Sequence, residues 1–195
     1  HGYKVSIDSP YVSEMVRKKV FAMVGKSAYT DGLRVYTTID SRLQHSEKKY
    51  VRKGLIAYEK RHGYRGPEFN TPNPELWNNI LRSTLTYGGL VPAIVKEVHD
   101  QHLNVLLADK HEIFISWERG LKNLRKYNTP DSRSRSIKTA SELFSTGDLV
   151  RVSQHNGRWE LAQLPKVQAA IVALNPKNGG IKALVGGFDF RQNNF

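Results

Sequence analysis

The sequence predicts an α+β fold in which a small, five-stranded β-barrel is inserted into a helix-plus-strand module that a linker helix precedes. Three observations carry this expectation. Two stretches repeat apolar residues at helical spacing between recognisable start and stop residues. Five short alternating runs crowd between Val91 and Leu164, the pattern of half-buried antiparallel strands. A more hydrophobic hairpin follows from Val167 to Val185, with the apolar density of strands buried on both faces.

Taken in order, Ser9 or Asp8 caps a first helix, Pro10 suits its first turn and Gly25 the residue after its last. Val12, Met15, Val16, Val20, Met23 and Val24 form its apolar stripe, with Glu14, Arg17, Lys18 and Lys26 outside it. Leu33 to Ile39, alternating and rich in β-branched residues, is expected as a strand. Asp40 caps a second helix, with Leu43, Glu47, Tyr50, Val51, Gly54, Leu55 and Tyr58 along one side and Gly63 as its stop. The Gly-, Pro- and Asn-rich stretch from His62 to Pro74 marks a boundary, and a short helix is expected from Pro74 to Thr84. The five runs are Val91 to Val98, Leu103 to Ala108, Glu112 to Trp117, Leu149 to Gln154 and Arg158 to Leu164. Asp100-Gln101, Asp109-Lys110 and Asn156-Gly157 supply turns between them. Such a set closes, or nearly closes, a small barrel, for which the OB-fold is the common five-stranded plan. The poorly periodic stretch between the third and fourth runs is expected as a long exposed loop.

A hydrophobic content of 39% in 195 residues supports packed cores, and no apolar run approaches the roughly 18 residues of a membrane helix. The opening HGYKVSIDSP lacks the layout of a signal peptide, so an anchor, if the parent protein has one, is expected upstream. Absence of cysteine removes disulfides, zinc-thiolate sites and thiol nucleophiles. The net charge of +12 favours polyanions or acidic surfaces as partners. It is concentrated in Arg119, Lys122, Arg125, Lys126, Arg133, Arg135 and Lys138, opposed in that stretch only by Asp131. These seven are the candidate docking residues; the plain alternative is a solvated basic loop.

Catalytic chemistry finds no constellation, and no catalytic, metal or cofactor-binding residue is assigned. His1, His45, His62, His99, His102, His111 and His155 include no HExxH, and the closest group, His99 with His102, lies at a strand turn without a third ligand. GxSxG, Walker and GxGxxG motifs are missing. Ser46-Glu47-Lys48-Lys49 fits S-x-x-K, but it sits in a highly charged helix, and Lys138-Thr139 continues into Ala140 rather than completing K-T-G.

The stretches SPYVSEMVRKKVF, DGLRVYTTIDSRLQ, RHGYRGP, LTYGGLVPAIV, GDLVRVSQHNGRWELAQLP and VQAAIVALNPKNGGIKALVGGFDF follow one another over nearly the whole chain. In that order they resemble class A penicillin-binding proteins of the 1a type. The resemblance implies a parent with a membrane-anchored glycosyltransferase domain, a linker, an inserted OB-like domain and a transpeptidase domain. Residues 1–31 would be the linker, 33–66 together with 165–195 the opening module of the transpeptidase domain, and about 67–164 the inserted docking domain. The family's catalytic serine is expected just past Asn193-Asn194-Phe195, so this chain by itself is expected to catalyse nothing. Implied partners are the parent's own two catalytic domains, an outer-membrane lipoprotein activator as in related enterobacterial proteins, and peptidoglycan. The implied location is the periplasmic side of the inner membrane. Two other function classes remain as alternatives: a nucleic-acid-binding OB-fold using Tyr87, Phe114, Trp117, Tyr127 and Trp159, and a glycan-strand binder with aromatic platforms exposed on the barrel face. Packing of these rings into the core is the plain reading, and nucleic acid is not expected as a partner.

Overall fold

The computed structural model describes residues 7–192; residues 1–6 of the expected linker and Asn193-Asn194-Phe195 lie outside the described residues. The chain forms two compact units, one made of residues up to Leu55 with those from Val167 on, the other of Ile56 to Lys166.

In the first unit, helix α1 (Pro10–Val24) starts with Pro10 in its first turn and ends at Gly25. Only Val12 of its apolar stripe is buried, while Met15, Met23 and Val24 are exposed. A helical turn, α2 (Ser27–Thr30), follows. Helix α3 (Ser41–His62) begins where the Asp40 carboxylate accepts from the backbone N–H groups of Arg42 and Leu43, at 2.9 and 3.2 Å. Those two bonds hold the Asp40 carboxyl below its ordinary range. The residues from Ile56 to the end of α3 belong to the second unit. The buried face of α3 is turned from the expected one: Leu43 and Tyr50 are exposed, and Gln44, Val51, Leu55 and Glu59 are buried. Gln44 is affordable there because its amide nitrogen donates to the Leu184 carbonyl and its amide oxygen accepts from the Leu184 N–H.

The expected strand from Leu33 to Ile39 does not form. Its last residues reach a neighbour, with Thr38 Oγ1 donating to the Ile181 carbonyl and Asp40 N–H to the Lys182 carbonyl. Leu33, Val35 and Tyr36 remain exposed. Among the described residues no ladder pairs with them, and alternation without a partner strand leaves the backbone extended but unassigned.

After the end of α3, the second unit continues with the two-residue strand β1 (Phe69–Asn70), then a tight turn at Pro74–Leu76 running into α4 (Trp77–Ser83). Strands β2 (Val91–His99), β3 (His102–Leu106) and β4 (Glu112–Ser116) form an antiparallel meander. After them come β5 (Arg125–Thr129), β6 (Ser132–Ser136), β7 (Asp148–His155) and β8 (Arg158–Ala162). Strand β7 is central. It pairs with β2 on one side and with β1 and β8 on the other, so the sheet runs β1-β7-β2-β3-β4 with β8 also on β7. One face of this sheet packs Ala93, Val95, Leu103, Val105, Ile115, Val150, Val152 and Leu161 into a common core with Tyr64, Leu121 and Phe144. The other face buries Ile94 and Leu149 under Trp77 and Leu81 of α4. With both faces covered, β7 reads as a continuous buried run rather than an alternating one. It carries a buried Arg151, whose guanidinium is held by the Glu68 carboxylate and the Leu85 and Leu90 carbonyls.

The expected five-stranded, closed or nearly closed barrel is therefore corrected to a six-stranded open sheet: among the described residues no ladder joins β4 to β8. The wide turn Trp117–Leu121 occupies that gap. Gly120, at φ +110°, presses so near β8 that a Cβ there would lie 2.9 Å from Leu161 Cβ. Back in the first unit, β9 (Ile171–Leu174) and β10 (Ile181–Val185) form the expected hairpin, among the described residues paired only with each other, but the expected burial on both faces is absent, because with no further strand or layer against β9 its Ile171, Val172 and Leu174 are exposed. Among the described residues no helix is long and apolar enough to cross a membrane.

Candidate docking surface

The basic stretch is not an irregular loop. Strands β5 and β6 form a separate hairpin closed by the pair Thr129↔Ser132, whose hydroxyls lie 2.9 Å apart across the Pro130-Asp131 turn. Its charged residues alternate with Ser134 and Ser136 rather than with apolar side chains, so its support comes from elsewhere. The Tyr64 N–H donates to the Arg125 carbonyl at 2.7 Å, and the Tyr127 N–H donates to the Tyr64 carbonyl at 2.8 Å. This contact demands glycine next door: at Gly63, φ +98°, a Cβ would stand 2.9 Å from the Arg125 carbonyl oxygen and 3.0 Å from the Tyr127 nitrogen. Arg65 lies with its guanidinium carbon 4.1 Å from the Tyr127 ring centroid and bonds the buried Glu59 carboxylate at 3.1 Å. At the exit, the N–H of buried Ile137 donates to the Leu124 carbonyl. Glu142 then caps the next turn, accepting from the N–H groups of Lys138 and Thr139, and these bonds hold its carboxyl below the usual range.

On this frame Lys122, Arg125, Lys126, Arg133, Arg135 and Lys138 are exposed, and Arg119 is half-buried in the wide turn. Lys122 pairs with Glu118 at 3.0 Å. The Arg125 side chain bonds the Ser136 hydroxyl, and among the described residues none of Arg119, Arg125, Lys126, Arg133, Arg135 and Lys138 forms an ion pair. Lys122, Arg125 and Arg133 come together around one cavity; Arg119, Lys126, Arg135 and Lys138 do not line it. Lys60, which the sequence does not single out, lines the same cavity from α3, far in sequence from the basic stretch.

The rings proposed for nucleic acid or glycan are mostly committed to packing. Trp117 and Trp159 pack on the core, Tyr127 is half-buried by Arg65, and Tyr87 lies beside the Arg151 guanidinium. Phe114 alone of the five is exposed, at 56%, and His102 packs against it while stacking on His99. Among the described residues no group of three or more His, Cys, Asp or Glu could hold a metal ion. Ser46 and Lys49 are exposed residues of α3.

The family model described as the penicillin-binding protein OB-like domain matches residues 64–167, more than half of the chain. Penicillin-binding protein 1A of Escherichia coli (strain K12) is 37% identical over the whole chain, and that of Pseudomonas aeruginosa 36% identical; the chain spans 24% of each. The crystal structure of penicillin-binding protein 1A from Haemophilus influenzae matches all of this chain with a TM-score of 0.77 at 30% identity, over 28% of that chain. The chain thus spans about a quarter of the length of the relatives it matches. With its OB-like region and its flanking segments matched together, the chain belongs to the class A penicillin-binding proteins of the 1a type.

Proposed function

We propose that this segment is a non-catalytic docking and spacer module of a bifunctional peptidoglycan synthase. In the parent it would sit between the glycosyltransferase and transpeptidase domains, on the periplasmic side of an inner membrane to which a segment outside this chain anchors it. Its basic hairpin would receive the acidic surface of a regulatory protein, an outer-membrane lipoprotein activator in the related enterobacterial proteins, in the neighbourhood of peptidoglycan.

One observation supports this reading above the others. A hairpin with short charged strands holds four cationic side chains, Arg125, Lys126, Arg133 and Arg135, with no ion pair among the described residues, and its root is tied to the rest of the second unit by backbone bonds at Tyr64 and by the Arg65–Tyr127 contact. A merely solubilising charge run needs no such fixed frame, whereas steering of an acidic partner gains from one. The test is binding of a purified lipoprotein activator to the full-length protein, wild type against Arg125→Glu, Lys126→Glu, Arg133→Glu and Arg135→Glu combined. Affinity should fall steeply at low salt. The melting temperature should hardly move, since exposed substitutions typically shift stability by only about 0.5 kcal/mol each. Equal affinity of the two proteins would reduce the hairpin to a spacer.

A further inference from the structure

The root of the hairpin, the wide turn, the end of α3 and β8 line a half-open recess of about 400 Å³ within the second unit. That volume falls in the range of small-ligand sites, roughly 300–1,000 Å³. Its apolar surface comes from Ile56, Tyr64, Leu124, Leu161 and Ala162, and its cations are Lys60, Lys122, Arg125 and Arg133. Three carboxylates also line it, but each is already engaged. Glu59 holds Arg65, Glu118 holds Lys122, and Glu160 lies 3.1 Å from His155 Nε2. Lys60, Arg125 and Arg133 have no carboxylate partner among the described residues. The walls are fixed by close backbone approaches. Gly63 packs against the hairpin with Arg133 Cγ 3.3 Å from where its Cβ would be, and Gly120 packs against Leu161. A partly apolar recess with three cations free of carboxylate partners among the described residues is complementary to a small molecule that is partly apolar and multiply anionic.

We propose that this cavity binds a short acidic peptide, one bearing at least two carboxylates beside small apolar side chains. The carboxylates pair with Arg125, Arg133 and Lys60, and the apolar part lies on Leu124 and Ala162. The guanidinium groups suit carboxylates better than would lysines alone, because each offers a planar two-donor fork. This goes beyond protein docking at the outer face of the hairpin, because it needs Lys60 and Ala162, which belong to α3 and β8 rather than to the hairpin.

Calorimetric titration of the full-length protein with acetyl-Ala-Glu-Ala-Glu tests it, against the same peptide with glutamine in place of both glutamates. The acidic peptide should bind, and the glutamine peptide should bind roughly tenfold more weakly or worse, as loss of charge-assisted bonds implies. Lys60→Met and Ala162→Phe, the first removing a cation and the second filling the recess, should each weaken binding by a similar factor. Lys126→Glu with Arg135→Glu, which removes hairpin charge outside the cavity, should leave it within about twofold. A variant of the acidic peptide with an amidated C-terminus separates two sources of the same chemistry. Loss of binding marks a free peptide, and retained binding marks a segment inside a longer chain; both support the site. Two results overturn it: no binding of either acidic peptide, or binding that Lys126→Glu with Arg135→Glu abolishes while Lys60→Met and Ala162→Phe leave it intact. The second outcome would mean general electrostatic attraction, and it would leave the docking reading standing.

Discussion

Replacing Glu59 by glutamine should be among the most damaging single changes in the second unit, although it alters one atom of the side chain. Glu59 is 1% exposed. Its Oε1 accepts from the Lys166 N–H at 3.0 Å and from Arg65 Nη2 at 3.4 Å; its Oε2 accepts from Arg65 Nε at 3.1 Å and from Gln163 Nε2 at 3.4 Å. All four neighbours are donors, so whichever way a glutamine amide is turned, its NH₂ group meets donors and leaves them unsatisfied. Removing one partner of a buried ion pair costs about 3–5 kcal/mol, and the lower end applies because the Arg65 side chain is 22% exposed and keeps some solvent and the Tyr127 ring. The expected loss is therefore roughly 3 kcal/mol, read from urea unfolding at neutral pH. Adding Arg65→Met to Glu59→Gln should recover part of it, because the unpaired cation is then gone. A loss below about 0.5 kcal/mol for Glu59→Gln would refute the donor-cage argument, since that is the scale of an ordinary surface change.

Two further outcomes follow from the first unit and from the S-x-x-K motif. Burial pushes the Glu47 carboxyl up, and its Oε2 has no hydrogen-bond partner. A raised carboxyl favours the protonated form in the folded state, so its penalty develops as pH rises above the ordinary glutamate value of about 4.3. Glu47→Gln should then raise the melting temperature at pH 7 and flatten its fall between acid and neutral pH; an unchanged profile would contradict the burial argument. Ser46, exposed on a charged helix, should form no covalent adduct when this chain is incubated with a fluorescent β-lactam, and stoichiometric labelling seen by mass spectrometry of the Ser46 peptide would contradict that expectation.

What the sequence made legible was local. Pro10, Gly25 and Gly63 mark helix ends through their own backbone chemistry and Asp40 through its side chain, and the strands β2, β3, β4, β7 and β8 announce themselves by short apolar runs between turn residues. What it hid was non-local. The β5–β6 hairpin has no apolar alternation to read, because it is held by Tyr64, Arg65 and Ile137 rather than by a face of its own. Leu33 to Ile39 has the alternation but no partner ladder. The buried face of α3 includes Gln44 and Glu59, two polar residues that hydrophobic periodicity places outside; Gln44 is accommodated through Leu184, and Glu59 through Arg65 close by and through Gln163 and Lys166, more than a hundred positions away. The candidate docking residues were visible as composition, but the cavity that gathers Arg125 and Arg133 with Lys60 and Ala162 depends on close approaches at Gly63 and Gly120 that no spacing reveals.

The central claim is that the hairpin steers an acidic protein partner, and association kinetics test it most directly. The association rate of full-length protein with the lipoprotein activator, followed by stopped flow from low to high salt, should fall steeply with ionic strength for the wild type. The fourfold Glu variant should associate slowly and with a flat or inverted salt dependence, its dissociation rate changing far less. Equal association rates for both proteins at low salt would show that the basic hairpin plays no part in docking.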